Sequence, residues 1–297
     1  MAEKGIINIS GVSDSQVAPL AAEIIKEKKG QCLFIVSSLV RAKRLATDLS
    51  FFTGRKILVL PEEEGLFIPY EARDHRLLQE RINVLKAVEQ DPECIVVAPV
   101  TGAVRKMPPA ETFRSRKTEI RQGGDLDPEA VKEDLSAMGY ERLPLVDGRG
   151  QFAVRGSIID IFPPDAENPV RIELFDTEVD SVRTFDMDTQ RSIETLERVT
   201  VYPAEQIVRD EEVFSKALEK IDKVYSKRIA SLRRKKADAE VIKNLENKKE
   251  QIADYIKENA NIPQLENYIG YFYDSPETIL DYMNEPLLMI DDPAVTF

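Results

Sequence analysis

Three short, almost unbroken apolar runs, CLFIV at 32–36, ILVLP at 57–61 and CIVVAPV at 94–100, restrict this chain more than any other feature. A strand with one wet face alternates apolar and polar residues, whereas a run without that alternation has both faces covered. Between the runs lie segments of helical period: VAPLAAEIIKEK at 17–28, stopped by Gly30, then a helix capped by Ser38 and running to Phe52, then another over 73–90. Buried strands alternating with amphipathic helices predict an α/β fold, a parallel sheet with helices on both faces. A fourth run, LLMI at 287–290, comes much later and ends in Asp291 and Asp292.

The rhythm breaks at PPAETFRSRKTEI, residues 108–120. A helix is then announced by Asp127 as N-cap, Pro128 at the first helical position and Gly139 past the end. After Gly148 the period becomes two, and QFAVRGSIIDIFP, PVRIELFD and SVRTFD predict a small α+β domain with an antiparallel sheet. From 205 to about 260 the chain is helix-prone and charged, with RRKK at 233–236. Two readings of this insert stand: a solvated pair of long helices packing on the first unit through Val213, Leu218, Ile221, Val224 and Ile229, or a nucleic-acid contact at RRKK. The expected division is 1–114, 115–200 and 201–297, the first and last segments sharing one domain that the middle one interrupts.

Composition narrows the function. With 297 residues, 42% of them hydrophobic, the chain has enough material for sizeable cores. No run approaches the ~18–20 apolar residues of a membrane span, and a cytoplasmic protein is expected. Cys32 and Cys94 sit in apolar runs and read as reduced core residues. A net charge of -12 opposes gripping nucleic acid over a broad surface. His75 is the only histidine and reads as a solvated helix residue, which removes multi-histidine metal sites and leaves a Ser-His-Asp triad resting on one residue; no metal and no cofactor is expected.

The turn GVSDSQVAPL before the first helix has the layout of a phosphate-binding loop without its chemistry. Such a loop needs glycines to wrap the phosphates, a lysine to neutralise them and a hydroxyl for magnesium. After Gly11, Asp14 and Gln16 stand where the glycines belong, Val17 replaces the lysine and Ala18 the hydroxyl. Asp291 and Asp292 keep the form of a metal-side motif, or are a solvated strand terminus. The first domain is therefore read as a degenerate P-loop NTPase-like sheet, and no catalysis is expected from this chain.

GQFAVRGSIIDIFPPDAENPVRIELFDTEVDSVRTFDMDTQRS, at 150–192, resembles the second domain shared by the excision-repair protein UvrB and the transcription-repair coupling factors of the Mfd type. IPYEARDHRLLQERINVL, VVAPVTGAVRKMPP, LENYIGYF and TILDYMNEPLLMIDD are similar to the split first domain of that family, its parts 1a and 1b, while the insert at 205–260 is not matched. UvrB carries an intact P-loop and a long aromatic hairpin that holds DNA; here the loop lacks its residues and only PEEEGLFIPY connects the elements, which favours the coupling factors. The resemblance implies an N-terminal fragment or truncated relative, a non-catalytic module that recruits UvrA to RNA polymerase stalled at DNA damage. The intact parent would be an ATP-dependent DNA translocase that binds RNA polymerase and duplex DNA through domains absent here, with a C-terminal domain masking the UvrA face. The alternative is a nucleotide-dependent DNA-binding enzyme or clamp related to UvrB.

In PVRIELFD the period of two sends Val170, Ile172 and Leu174 to one face, the core, and Arg171, Glu173 and Phe175 to the other. Arg155 and Arg183 on neighbouring strands extend the second face. Parity leaves two readings open: a docking surface, or Phe175 packed beneath the 127–139 helix with the arginines paired internally to Asp160 or Asp180. By resemblance Arg155, Arg171 and Phe175 fall on UvrA-binding positions, and Glu173 matches the UvrB-type pattern. As a docking face, these side chains are expected to be removable without loss of the fold.

Overall fold

The computed structural model describes residues 5–61, 75–207, 210–257 and 268–296. In chain order its elements begin α1 (Asp14–Lys28), β1 (Cys32–Val36), α2 (Leu39–Thr53), β2 (Leu58–Val59), α3 (His75–Gln90), β3 (Ile95–Pro99), α4 (Val100–Ala103), α5 (Ala110–Ser115) and β4 (Thr118–Arg121). There follow α6 (Pro128–Ala137), β5 (Glu141–Arg142), β6 (Gln151–Arg155), β7 (Ile158–Phe162), β8 (Val170–Phe175), β9 (Glu178–Phe185), β10 (Ser192–Leu196) and β11 (Arg198–Val201). The last are α7 (Glu211–Arg234), α8 (Ala239–Lys257), α9 (Ile269–Phe272), α10 (Ile279–Tyr282), β12 (Leu287–Ile290) and α11 (Pro293–Thr296). Two compact units result, one of Met1–Glu64, Val84–Arg105 and Ile279–Phe297, the other of Gly65–Asn83 and Lys106–Thr278. Most of PEEEGLFIPY (62–70), the first three residues of LENYIGYF (265–267) and the side chain of His75 lie outside what is described.

The first unit holds a parallel sheet in the order β12-β1-β3-β2. Every residue of β1 and β3 is buried, as the unbroken apolar runs require. On one face Ala18, Ala21 and Ile25 of α1 and Ala42, Leu45 and Leu49 of α2 pack on Cys32, Phe34, Val36, Ile95 and Val97. The residues of opposite parity, Leu33, Ile35, Val96 and Ala98, are buried as well. The ends of α2 follow the sequence: Ser38 Oγ accepts the Arg41 N–H at 3.2 Å, and Gly54 closes the helix at a φ of 64°. Gln31 stitches distant segments of this unit together, its side chain donating to the carbonyls of Val88 (2.6 Å) and Asp91 (2.9 Å) and accepting the Asn284 N–H (2.8 Å). Cys32 and Cys94 are buried free thiols, and burial pushes both up to about 12.

The second unit is built on a six-stranded sheet, β10-β9-β8-β7-β6-β5, antiparallel throughout except for the β5–β6 pair. Val131 and Leu135 of α6, with Met138, cover the face made by Phe152, Ile159, Ile161, Val170, Ile172, Leu174, Val179 and Val182. Asp127 caps α6 by accepting the Glu129 N–H at 3.0 Å. Gly139 leaves it at a φ of +89°, where a Cβ would lie 2.6 Å from Glu205 Cγ, so only glycine fits. Behind it the buried Tyr140 hydroxyl donates to the Tyr202 carbonyl at 2.8 Å. The β10 edge strand and the β11–β4 pair are elements that sequence pattern did not separate.

The charged segment forms α7 and α8 within this second unit. Phe214, Ala217 and Ile221 of α7 meet Ile252 and Ile256 of α8 and Ile269 and Phe272 of α9, with Val213 and Leu218 packed at the margin. Ile229 is buried, but Val224 is exposed and outside that core, a correction to the expected stripe. No described helix is long and apolar enough to cross a membrane, and no described group of His, Cys, Asp and Glu could hold a metal ion.

Ile172 has no exposed surface and lies at the centre of the α6-covered face. Ile172→Ala is expected to cost about 2–5 kcal/mol through lost burial plus a cavity. Urea unfolding followed by circular dichroism should show a lower midpoint at unchanged slope.

Candidate functional site

Residues directly opposite one another in an antiparallel sheet share a face. The β6–β7–β8–β9 register therefore aligns Ala153, Asp160, Arg171 and Arg183 in one row, and Arg155, Ile158, Glu173 and Ser181 in the next, on the side away from α6. Four of the five expected site residues are thus brought together: Arg155, Arg171, Glu173 and Arg183.

Asp160 organises them. Its side chain is only 1% exposed, and it accepts Arg171 Nε at 2.6 Å, Arg171 Nη2 at 2.8 Å and Arg155 Nη2 at 2.7 Å. Arg171 Nη2 donates further to Gln190 Oε1 at 2.7 Å, and the guanidinium carbon lies 4.1 Å from the centre of the Phe185 ring. The hydrogen bonds to Asp160 raise the Arg171 pKa above its ordinary value. One rung along, Arg183 pairs with Glu173 through Nη2–Oε1 and through Nη1–Oε2 at 3.1 Å, while Ser181 Oγ donates to Glu173 at 3.2 Å.

These interactions separate the expected residues. Arg171 is 11% exposed and fixed inward, whereas Arg155 keeps 43% of its side chain in solvent. Asp160, and not Asp180, is the partner that the internal-pair reading required. These contacts oppose the expectation that Arg171 can be removed at little cost to the fold, because its removal would strip a buried carboxylate of its bidentate partner. Phe175 does the opposite: it ends β8, pairs with Glu178 across a tight turn in which Asp176 has a φ of +59°, and is 78% exposed rather than packed under α6. Gln190 and Phe185 are site residues that sequence reasoning missed. Asp160 carried a signal, an acid inside the apolar strand IIDIF.

In the first unit, Gly11 turns the chain at a φ of +76° and α1 starts at Asp14. Gln16 Oε1 accepts the Ser13 N–H at 2.9 Å, so Gln16 closes a capping box. Val17 and Ala18 pack with the core cluster. Arg41, which no local pattern singled out, lies between the two expected acidic positions: its Nε donates to Asp291 Oδ2 at 2.7 Å, and its Nη1 pairs with Asp14. The Asp291 hydrogen bond, then the charges of both carboxylates, raise the Arg41 pKa. Arg44 reaches Asp14 at 3.4 Å. Asp292 takes a φ of +38° and its carbonyl accepts the N–H of Val295 and of Thr296, both at 3.0 Å.

A family model described as the UvrB interaction domain matches residues 118–207, which contain the whole sheet and every residue of the outer face. The chain is 36% identical over 288 residues to the transcription-repair-coupling factor of Bacillus subtilis, and 31% identical over 285 residues to that of Staphylococcus aureus strain MRSA252. Each match takes in 96% of this chain and 24% of the relative, so the chain spans about a quarter of the length of the curated relatives it matches. The similarity to the UvrB-homology module of coupling factors, expected from the sequence, is borne out.

Arg171→Ala is expected to destabilise the protein by about 3 kcal/mol, since it leaves Asp160 buried with one half-exposed partner. A double variant that also replaces Asp160 by Leu should lose less than the two single variants together. Additive losses in chemical denaturation would show that the pair does not organise this face.

Proposed function

We propose that this chain is a non-catalytic docking module of a transcription-repair coupling factor that recruits UvrA to RNA polymerase stalled at DNA damage. The observation that carries the reading is Phe175, a large aromatic held 78% exposed beside a face whose charged side chains are already locked in place. Exposed aromatics and arginines are the residues that dominate protein interfaces. Side chains ordered before binding also lose less entropy on association. Arg155 supplies the accessible guanidinium, and the Glu173–Arg183 pair supplies a polar border. In the intact protein, RNA-polymerase binding, ATP-driven translocation on duplex DNA and masking of this face by a C-terminal domain belong to segments beyond this chain.

The second reading, a nucleotide-dependent enzyme or clamp, draws on Asp291 at the end of β12. Arg41 already pairs with both Asp291 and Asp14. A magnesium-bound triphosphate would have to displace that guanidinium and then face Asp14 at the very helix end where phosphate would bind. We expect no ATP hydrolysis above a protein-free control and no rise in melting temperature with magnesium ATP. A clear rise by mass action, with turnover abolished in Asp291→Ala, would restore the enzyme reading.

Phe175→Ala should weaken UvrA binding by about 2 kcal/mol or more, with Arg155→Ala comparable or somewhat smaller. The melting temperature of Phe175→Ala should be unchanged, because the ring packs on so little. Calorimetric titration of UvrA into wild type and both variants, with melts alongside, measures both quantities. Wild-type affinity in Phe175→Ala would remove the proposed site.

A further inference from the structure

The chain as a whole is acidic, yet residues 223–237 contain seven Lys and Arg and no Asp or Glu. They form the second half of α7 and the turn into α8. In the first half of α7 the charges are balanced, Lys216 with Glu212 at 2.5 Å and Lys220 with Asp274 at 2.7 Å. In the second half, Lys223, Lys227, Arg228, Arg233, Arg234, Lys235 and Lys236 are all exposed. Among the described residues, only Arg233 of these seven is ion-paired, with Glu246 at 2.5 Å. At the start of α8, Lys243 is a further exposed base and Asp238 and Glu240 are exposed acids, so the excess of positive charge lies on α7 and the turn that follows it.

Helix stability does not account for this arrangement. The macrodipole favours cations only in the last turn, which covers Arg233 and Arg234. Lys223 and Lys227 lie two to three turns earlier and, four residues apart, repel each other. Lys236 takes a φ of +52°, a left-handed conformation that glycine or asparagine adopts at lower cost. The charges therefore persist against local preference, at a site where each addition concentrates positive potential. Lys223, Lys227 and Arg234 line the solvent side of the helix over about 16 Å, roughly the rise of five base pairs. No aromatic residue occurs from 226 to 244, so bases have nothing to stack on. What the surface fits is a regular array of phosphates.

We propose that the far half of the α7–α8 hairpin binds the phosphate backbone of duplex DNA without reading its sequence. The phosphate recognition stands on the charge distribution alone; the choice of DNA over RNA rests on the repair reading above. Fluorescence anisotropy with a short labelled mixed-sequence DNA duplex, titrated with the chain at several salt concentrations, tests it. The variant combines Lys227→Ala, Arg234→Ala, Lys235→Ala and Lys236→Gly; the control combines Lys26→Ala, Lys28→Ala, Lys29→Ala and Lys43→Ala, equal in charge removed. The tip variant should bind about ten-fold more weakly or worse, with the slope of log K against log salt reduced by about 0.9 for each phosphate no longer neutralised, and the control should match wild type. Helicity by circular dichroism and UvrA affinity should be retained, which separates failure of this site from failure of the docking face. Wild-type affinity in the tip variant, equal loss in the control, no duplex binding at low salt, or preference for duplex RNA or polyglutamate over duplex DNA would each overturn the proposal.

Discussion

A carboxylate with 1% of its surface exposed, set in the middle of an apolar strand, is the constraint to which the outer face of the six-stranded sheet answers. Burying such a charge costs several kcal/mol unless paired and hydrogen-bonded. Asp160 meets that demand with three donors from two arginines on the strands to either side. Arg171, turned inward to serve it, also needs a second acceptor and an aromatic surface, which Gln190 and Phe185 provide. Glu173, one position along, is then left to Arg183. The charged side chains of this face, set among Ala153 and Ile158, find most of their partners within it, and so offer a rigid ground beside the exposed Phe175.

Much of this was legible in the sequence, and the failures have identifiable causes. Runs without alternation marked the parallel strands, and β1 and β3 are buried on both sides, whereas ILVLP and LLMI, read the same way, form the edge strands β2 and β12 and are only partly covered. Alternation marked β8 because only one of its faces is covered. Strand β10 escaped because it is the sheet edge and almost wholly exposed, so burial imposes no pattern on SIETL. Parity also placed Arg171 outside the core, correctly, without deciding whether an outward side chain reaches solvent or folds onto the next strand. That depends on register: the tight turns at Gly156 and Asp176 set β6 against β7 and β8 against β9, while the longer connection at 163–169 brings Asp160 opposite Arg171. Arg41 was beyond any local reading, because Asp291 lies 250 positions away in the chain.

Net charge is a coarse guide for a related reason. A value of -12 describes the average surface, and association with phosphates responds to local potential within about a Debye length, ~10 Å at moderate salt. The chain separates its charges along one helix: acids and paired lysines where α7 joins its core, and exposed bases, with Arg233 alone ion-paired among the described residues, where the hairpin leaves it. Positive potential is thereby concentrated at one end of a helix in a chain whose average surface is negative.

The same economy of charge governs the first unit. The start of α1 is positive because its first N–H groups have no helical partners. In a phosphate-binding fold that field is left for a ligand; here Asp14 provides the anion from within the chain, and Gln16 and Ser13 form the capping box beside it. Asp14 would be poorly compensated by the helix end alone, and Asp291 at the end of β12 would be a second uncompensated acid. Arg41 joins the two. One guanidinium thereby ties the first helix to the last strand of the sheet, segments at opposite ends of the chain. That link is suited to hold the β1–β12 pairing from within the chain.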